Sequence, residues 1–256
     1  MGHKAIATLG LLVIAGLVIA PSSAQVSPAQ WIEHLAFNVE VSPLNNTTLR
    51  QAMASAVDRQ AVFDAVRTTL PSGWSSPGPA GSWFPPILPQ HTPDLRIHPY
   101  DPPKARELLA TAGFPDGSGL PEFEILYRGD LRFRRVEAEM LTMQLAAVGI
   151  RARAVGLPTA DAFFRRVGRG PSGSPGAFQM AVLAWVAGPT GDFLREMFLP
   201  GGPQNIYGYR NPDVGLLIAD LQREPDQSRR LELLRQAERL ILTDAPVVPL
   251  VYYRVP

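Results

Sequence analysis

The chain has 256 residues, 46% of them hydrophobic, enough to bury a substantial core in one large domain or two small ones. Its 24 basic residues stand against 23 acidic ones, so it has no electrostatic footprint for nucleic acid or an anionic membrane. It has no cysteine, which excludes disulfides, thiolate catalysis, thiolate metal sites and a cysteine-linked lipid anchor.

Met1 to Lys4 supplies a short positive start, Ala5 to Ala20 is an apolar run, and Pro21-Ser22-Ser23-Ala24 gives small residues before a cleavage point. This is the pattern of a secretion signal over residues 1–24, and the run falls short of the ~20 residues that a membrane-spanning helix needs. Export without cysteine or lipid points to the periplasm of a two-membrane bacterium. Residues 25–33 read as a connector and 34–256 as one folded body.

Within that body Leu35 to Val39 reads as a strand. Asn45-Asn46-Thr47-Thr48 can cap a helix with Leu49, Met53 and Val57 on one face, and Asp58 can cap the next. Residues 71 to 103 hold ten of the 26 prolines, which fix φ and remove backbone donors, so the expectation there is a packed loop without regular structure. Asp101-Pro102 opens a helix that Gly113 closes. Phe123 to Arg128 is a strand. A helix then runs to about Val148, with Phe133, Val136, Met140, Met143 and Ala147 as its apolar stripe. Ile150 to Val155 is a strand, Ala160 to Val167 a helix, and Gly168 to Gly176 a surface connection.

Met180 to Val186 is a continuous apolar run, as in a strand buried on both faces. Leu194 to Phe198 is a short helix, two more helices follow near 212–223 and 226–243, and Val247 to Tyr253 is a last strand. Strand–helix alternation at these spacings means an α/β layer architecture with a largely parallel sheet flanked by helices.

Short motifs recur in fixed order through the body: Leu35-Ala36-Phe37-Asn38, Arg50-Gln51-Ala52, Ala56-Val57-Asp58-Arg59, Tyr100-Asp101-Pro102, Ala112-Gly113-Phe114-Pro115-Asp116-Gly117, Val148-Gly149-Ile150, a lone Trp185, Asn211-Pro212-Asp213-Val214 and Asp244-Ala245-Pro246-Val247-Val248-Pro249. In order and spacing the set resembles the peptide/nickel class of ABC-transporter solute-binding proteins. The resemblance runs from about residue 34 to 253. It implies a single lobe of the type II periplasmic-binding-protein fold, equivalent to the second of two lobes that close over a solute. It also implies delivery of a small peptide-like solute to an inner-membrane permease; a separately encoded first lobe belongs to the alternative reading, an interaction module that pairs with it.

Catalysis finds little support. There is no Gly-x-Ser-x-Gly elbow, no His-Glu-x-x-His, no P-loop and no Gly-x-Gly-x-x-Gly. Of the carboxylate pairs, Glu137 and Glu139 face different sides of a helix, and Asp192 with Glu196 reads as a solvated helix start. No enzyme, cofactor or metal is expected.

Binding is better supported. Trp185 ends a buried strand before the Gly188-Pro189 turn, and Asp192 sits where the next helix begins; in open α/β sheets, ligands bind beyond the carboxyl ends of the strands. The alternative is that Trp185 caps the core and Asp192 its helix. The resemblance implies a ligand-facing Trp185 and an acidic residue soon after it for a peptide amine. Here Gly188 stands at the first acidic position and only Asp192 remains.

The resemblance also implies flanking contacts from Asn205, Tyr207 and Trp83, for which loop packing is the competing role, and a hinge-strand role for Asn38. If the second wall of the cleft is missing, Trp185, Trp83 and Tyr207 are expected to be exposed together. The alternative function is a protein-interaction module or remnant lobe without solute affinity of its own.

Overall fold

A computed structural model describes residues 30–93, 95, 97–168, 176–186, 191 and 193–256. The expected secretion signal, most of the 168–176 connection, the Gly188-Pro189 turn and Asp192 lie outside them. Among the described residues six strands form one sheet: β1 (Gln30–Phe37), β2 (Ser75–Pro79), β3 (Phe123–Arg128), β4 (Ala152–Leu157), β5 (Met180–Val186) and β6 (Val247–Arg254), in the spatial order β2-β6-β1-β5-β3-β4. The described residues also form eight α-helices that flank it: α1 (Thr47–Ser55), α2 (Arg59–Val66), α3 (Pro102–Thr111), α4 (Arg132–Ala146), α5 (Ala160–Val167), α6 (Phe193–Phe198), α7 (Pro212–Arg223) and α8 (Gln227–Asp244).

The expected α/β layers are present, but the sheet is mixed where a largely parallel one was expected. β3 pairs parallel with β4 and β5, through helical crossovers that the strand–helix alternation does reveal. β1, however, runs antiparallel to both β5 and β6, and β2 antiparallel to β6. Those pairings join segments far apart in sequence, so no local alternation encodes their direction.

Two further expectations fail for local reasons. The proline-rich segment does contain a strand, β2, but it is an edge strand, where a proline without an N–H breaks no ladder on its open side. And β1 starts at Gln30, well inside the stretch read as connector. Glu33 makes that stretch look solvated, yet it and the following His34 are each only 1% exposed and each has a partner in the core.

Side chains alternate across the sheet. Leu35, Phe37, Ile125, Met180 and Val182 face a core under α1 to α4. Ile32, Ala36, Leu126, Ala181 and Leu183 face a second core under α5 to α8 and the loop around Trp83. The helices start as their caps predict: Asn46, Asp58 and Asp101 each accept a main-chain N–H three residues on. On α4 the buried stripe differs from the expected one. Phe133, Glu137, Ala138, Leu141 and Leu145 are buried, whereas Met143 is 59% exposed. A buried glutamate on the inner face rotates the stripe away from the one hydrophobicity alone selects.

Candidate functional site

The register brings the amino end of β1 together with the carboxyl ends of β3, β4, β5 and β6. Gln30 lies opposite Arg254, Trp31 opposite both Tyr253 and Val186, and Ile32 opposite Trp185. Trp185 is half-buried, packed against the second core, and its neighbour Val186 is 38% exposed. The indole Nε1 of Trp185 is buried with no hydrogen-bond partner among the described residues. A buried donor without an acceptor costs about 1–3 kcal/mol.

Two positions further along the same face, the structure assembles three of the sequence-identified residues into one packed group. His34 Nε2 lies 2.9 Å from the Tyr207 hydroxyl. Trp83 meets His34 edge-on at 4.7 Å, and Phe198 stacks on Tyr207 at 5.5 Å. Asn205 holds the loop that carries Tyr207: its Nδ2 donates to the carbonyls of Leu199 and Tyr209, both at 2.9 Å, and its Oδ1 accepts from Tyr209 N.

Trp83 and Tyr207 are each 1% exposed, so the expected exposed trio is not formed; only Trp185 reaches solvent. The reason is Phe198 of α6, which packs against both rings and closes this face. Burial lowers His34 to about 3, so its ring is neutral, and it pushes the Tyr207 hydroxyl well up. The pair is therefore an uncharged hydrogen bond inside the core, with no group poised for proton transfer.

Beside it, Glu238 of α8 anchors the Trp83 loop. Its Oε1 accepts from Ser82 Oγ at 2.7 Å and from Trp83 N at 2.5 Å. The Tyr252 hydroxyl donates to Ser82 O at 2.7 Å. No sequence motif marks Glu238, because its partners, the Ser82 hydroxyl and the Trp83 N–H, lie in a loop over 150 residues away. Asn38 does act as a main-chain organiser, donating to the carbonyls of Gly176 and Phe178.

The opposite face at the same end holds a polar group that the sequence did not disclose. Arg134 clasps Glu33 Oε1 through Nε at 3.0 Å and Nη2 at 2.6 Å, and the Tyr253 hydroxyl donates to Glu137 Oε1 at 2.7 Å. Among the described residues no cluster of three or more His, Asp or Glu could hold a metal ion. Nor is any helix among them long and apolar enough to cross a membrane. A surface hollow of about 310 Å³ lined by Glu40, Arg50, Tyr209 and Asp244 lies at the far end of the sheet, away from Trp185.

Residues 12–205 match the sequence family described as bacterial extracellular solute-binding proteins, family 5 Middle. The chain belongs to that family. Heme-binding protein A of Haemophilus influenzae is 27% identical over 228 residues, covering 86% of this chain and 39% of that protein. Di/tripeptide-binding protein 1 of Pseudomonas aeruginosa is 28% identical over 230 residues, covering 87% of this chain and 40% of that protein. The chain thus spans about two-fifths of the length of these curated relatives.

Among solved structures, the oligopeptide-binding protein AppA from Bacillus subtilis, in complex with a nonapeptide, superposes with a TM-score of 0.75 at 20% identity. It covers 89% of this chain and 46% of that one. The periplasmic binding protein DppA from Helicobacter pylori, in complex with a peptide, superposes at 0.71 with 24% identity, covering 90% and 44%. These likenesses identify the fold as that of the periplasmic binding proteins, an open mixed sheet between helical layers.

Proposed function

We propose that this chain is the solute-contacting lobe of a peptide-class ABC importer's binding protein, exported to the periplasm, which captures a small peptide-like solute for an inner-membrane permease. The observation that carries the reading is Trp185: a partly exposed indole at the carboxyl end of β5, its buried donor without a partner among the described residues, in a chain of this family. That position in an open α/β sheet is where ligands are received. Trp185 is the apolar platform and Asp192, seven residues on, the polar anchor. Trp83, Tyr207 and Asn205 shape the floor behind the platform: their burial supports a positioning role more than direct contact.

Gly188 at the position where the resemblance calls for an acid argues that a free peptide amine is not the main handle, so the solute is held more by its apolar and hydrogen-bonding groups. The test is thermal unfolding of the whole chain against di- and oligopeptides, opines and sugars. A bound solute raises the midpoint by linkage, worth about 2.7 kcal/mol at a hundredfold excess over Kd. A cooperative transition that no solute shifts would overturn the reading in favour of a module without solute affinity.

A further inference from the structure

Beneath Trp31, on the face opposite Trp185, four buried polar side chains meet. Glu33 comes from β1, Tyr253 from β6, and Arg134 and Glu137 lie one turn apart on α4. Glu33 and Glu137 are 1% and 0% exposed, and Arg134 6%. The rings of Phe133, Tyr253 and Trp74 close around them, Phe133 meeting Tyr253 at 5.2 Å and Trp74 at 5.6 Å.

Each carboxyl group has one oxygen engaged. Glu33 Oε1 takes both contacts from Arg134, and Glu137 Oε1 takes the Tyr253 hydroxyl. The second oxygen of each, Glu33 Oε2 and Glu137 Oε2, is buried with no partner among the described residues.

The charge count does not close if both acids are ionised. One guanidinium, Arg134, faces two carboxylates. The next cation, Arg128 at the end of β3, is already paired with Asp130 at 2.5 Å. A second buried anion without a cation is among the costliest arrangements a core can hold.

We propose that Glu33 and Glu137 titrate as one acid pair holding a single proton in common, so that the cluster is neutral overall at physiological pH and ties β1, β6 and α4 together at the Trp185 end of the sheet. Glu33 is the carboxylate, fixed by Arg134; Glu137 is the carboxylic acid, with the Tyr253 hydroxyl against its Oε1. Burial raises both carboxyls; at Glu33 the charge and hydrogen bonds of Arg134 oppose the rise, whereas at Glu137 the charge of Glu33 adds to it and pushes that group well above the usual carboxylate range. Loss of the proton leaves a net negative charge between the two strands and the helix. The inference rests on the cluster itself and stands whether or not a solute binds at Trp185.

The test is carboxyl titration of the whole chain with glutamate labelled at the side-chain carboxyl carbon. At pH 8.5 the wild type should show one neutral carboxylic acid. It should vanish in Glu137→Gln, which stays folded because an amide replaces an already neutral group. In Glu33→Gln, Glu137 becomes the sole anion available to Arg134 and should turn at least about tenfold more acidic, one pH unit or more. The thermal midpoint of the wild type should fall as pH rises through the titration of the pair, and Glu137→Gln should lack that fall. No neutral carboxyl at pH 8.5, or two, overturns the proposal. So does a signal that Glu33→Gln leaves unmoved, since burial alone would then hold the proton.

Discussion

Arg50 of α1 donates to the main-chain carbonyl of Asp244 through Nη2 at 2.7 Å and Nε at 3.2 Å, closing the carboxyl end of α8 from 194 residues away. The same guanidinium reaches Ala245 O at 3.1 Å and Leu44 O at 2.8 Å. Ala245 takes the left-handed conformation with φ 49°, and the carbonyls it leaves exposed at the helix end need donors. Two motifs far apart in sequence, Arg50-Gln51-Ala52 and Asp244-Ala245-Pro246, are thus halves of one cap. Arg50→Lys keeps a cation but replaces the fork, whose Nε, Nη1 and Nη2 reach three separate carbonyls, by one compact ammonium, and the site is 3% exposed. We expect a loss of about 2–4 kcal/mol in denaturant unfolding, with the fold retained. A loss below about 0.5 kcal/mol would show that water caps α8 equally well.

Gly117 and Gly149 are a second pair of motif residues explained by contact. A Cβ on Gly117 would lie 1.9 Å from the carbonyl oxygen of Gly149, and one on Gly149 would lie 2.3 Å from Asp116 O. Both glycines also have positive φ, 75° and 94°. Gly117→Ala should therefore cost more than the ~1 kcal/mol of an unfavourable φ alone, since the backbone of the 114–118 turn must separate from the end of α4. Equal stability of wild type and variant by thermal unfolding would refute the close approach.

Glu238 gives the chain a pH dependence of definite sign. Burial raises its carboxyl to about 7 against the opposing hydrogen bonds from Ser82 and Trp83. An acid raised on folding is protonated more readily in the folded state than in the unfolded one. Its contribution is therefore most favourable below the unfolded value near 4.5, and it is lost as pH rises from there to about 7. The full excursion is worth up to about 3 kcal/mol. Glu238→Gln keeps the acceptor for Ser82 Oγ and Trp83 N and removes the charge. We expect it to match the wild type near pH 4.5 and to exceed it in stability at pH 8. A variant less stable than wild type at pH 8 would mean that the ionised group is the better anchor.

How much of this was legible in the sequence depends on how local the cause is. The helices could be placed because Asn46, Asp58 and Asp101 act on amides three residues away, and β3 and β5 because their apolar runs are contiguous. The direction of β1 could not, because its partners β5 and β6 lie some 150 to 220 residues along the chain and strand alternation carries no sign. Glu33, His34 and Glu137 defeated the hydrophobic pattern for one shared reason: each is a polar residue whose partner comes from another element, so burial follows from the pairing and not from the residue type. The same holds for the candidate site. Trp185 was identifiable from its place at the end of an apolar run, whereas the inward turn of Trp83 and Tyr207 depends on Phe198 covering them.

That division of the aromatic residues leads to opposed expectations for two substitutions. Trp185→Ala removes a partly exposed ring whose donor has no partner among the described residues, so stability should change by no more than about 1–2 kcal/mol while solute affinity disappears. Trp83→Ala empties a site that is 1% exposed and packed by His34 and Phe198, so it should cost about 3–5 kcal/mol. Affinity measured on the fraction that remains folded should fall far less in Trp83→Ala than in Trp185→Ala. Calorimetric unfolding of both variants, with binding measured at a temperature where each is folded, separates the two roles. Unchanged affinity in Trp185→Ala would remove that indole from the site. A Trp83→Ala protein of undiminished stability that no longer binds would move Trp83 from floor to contact.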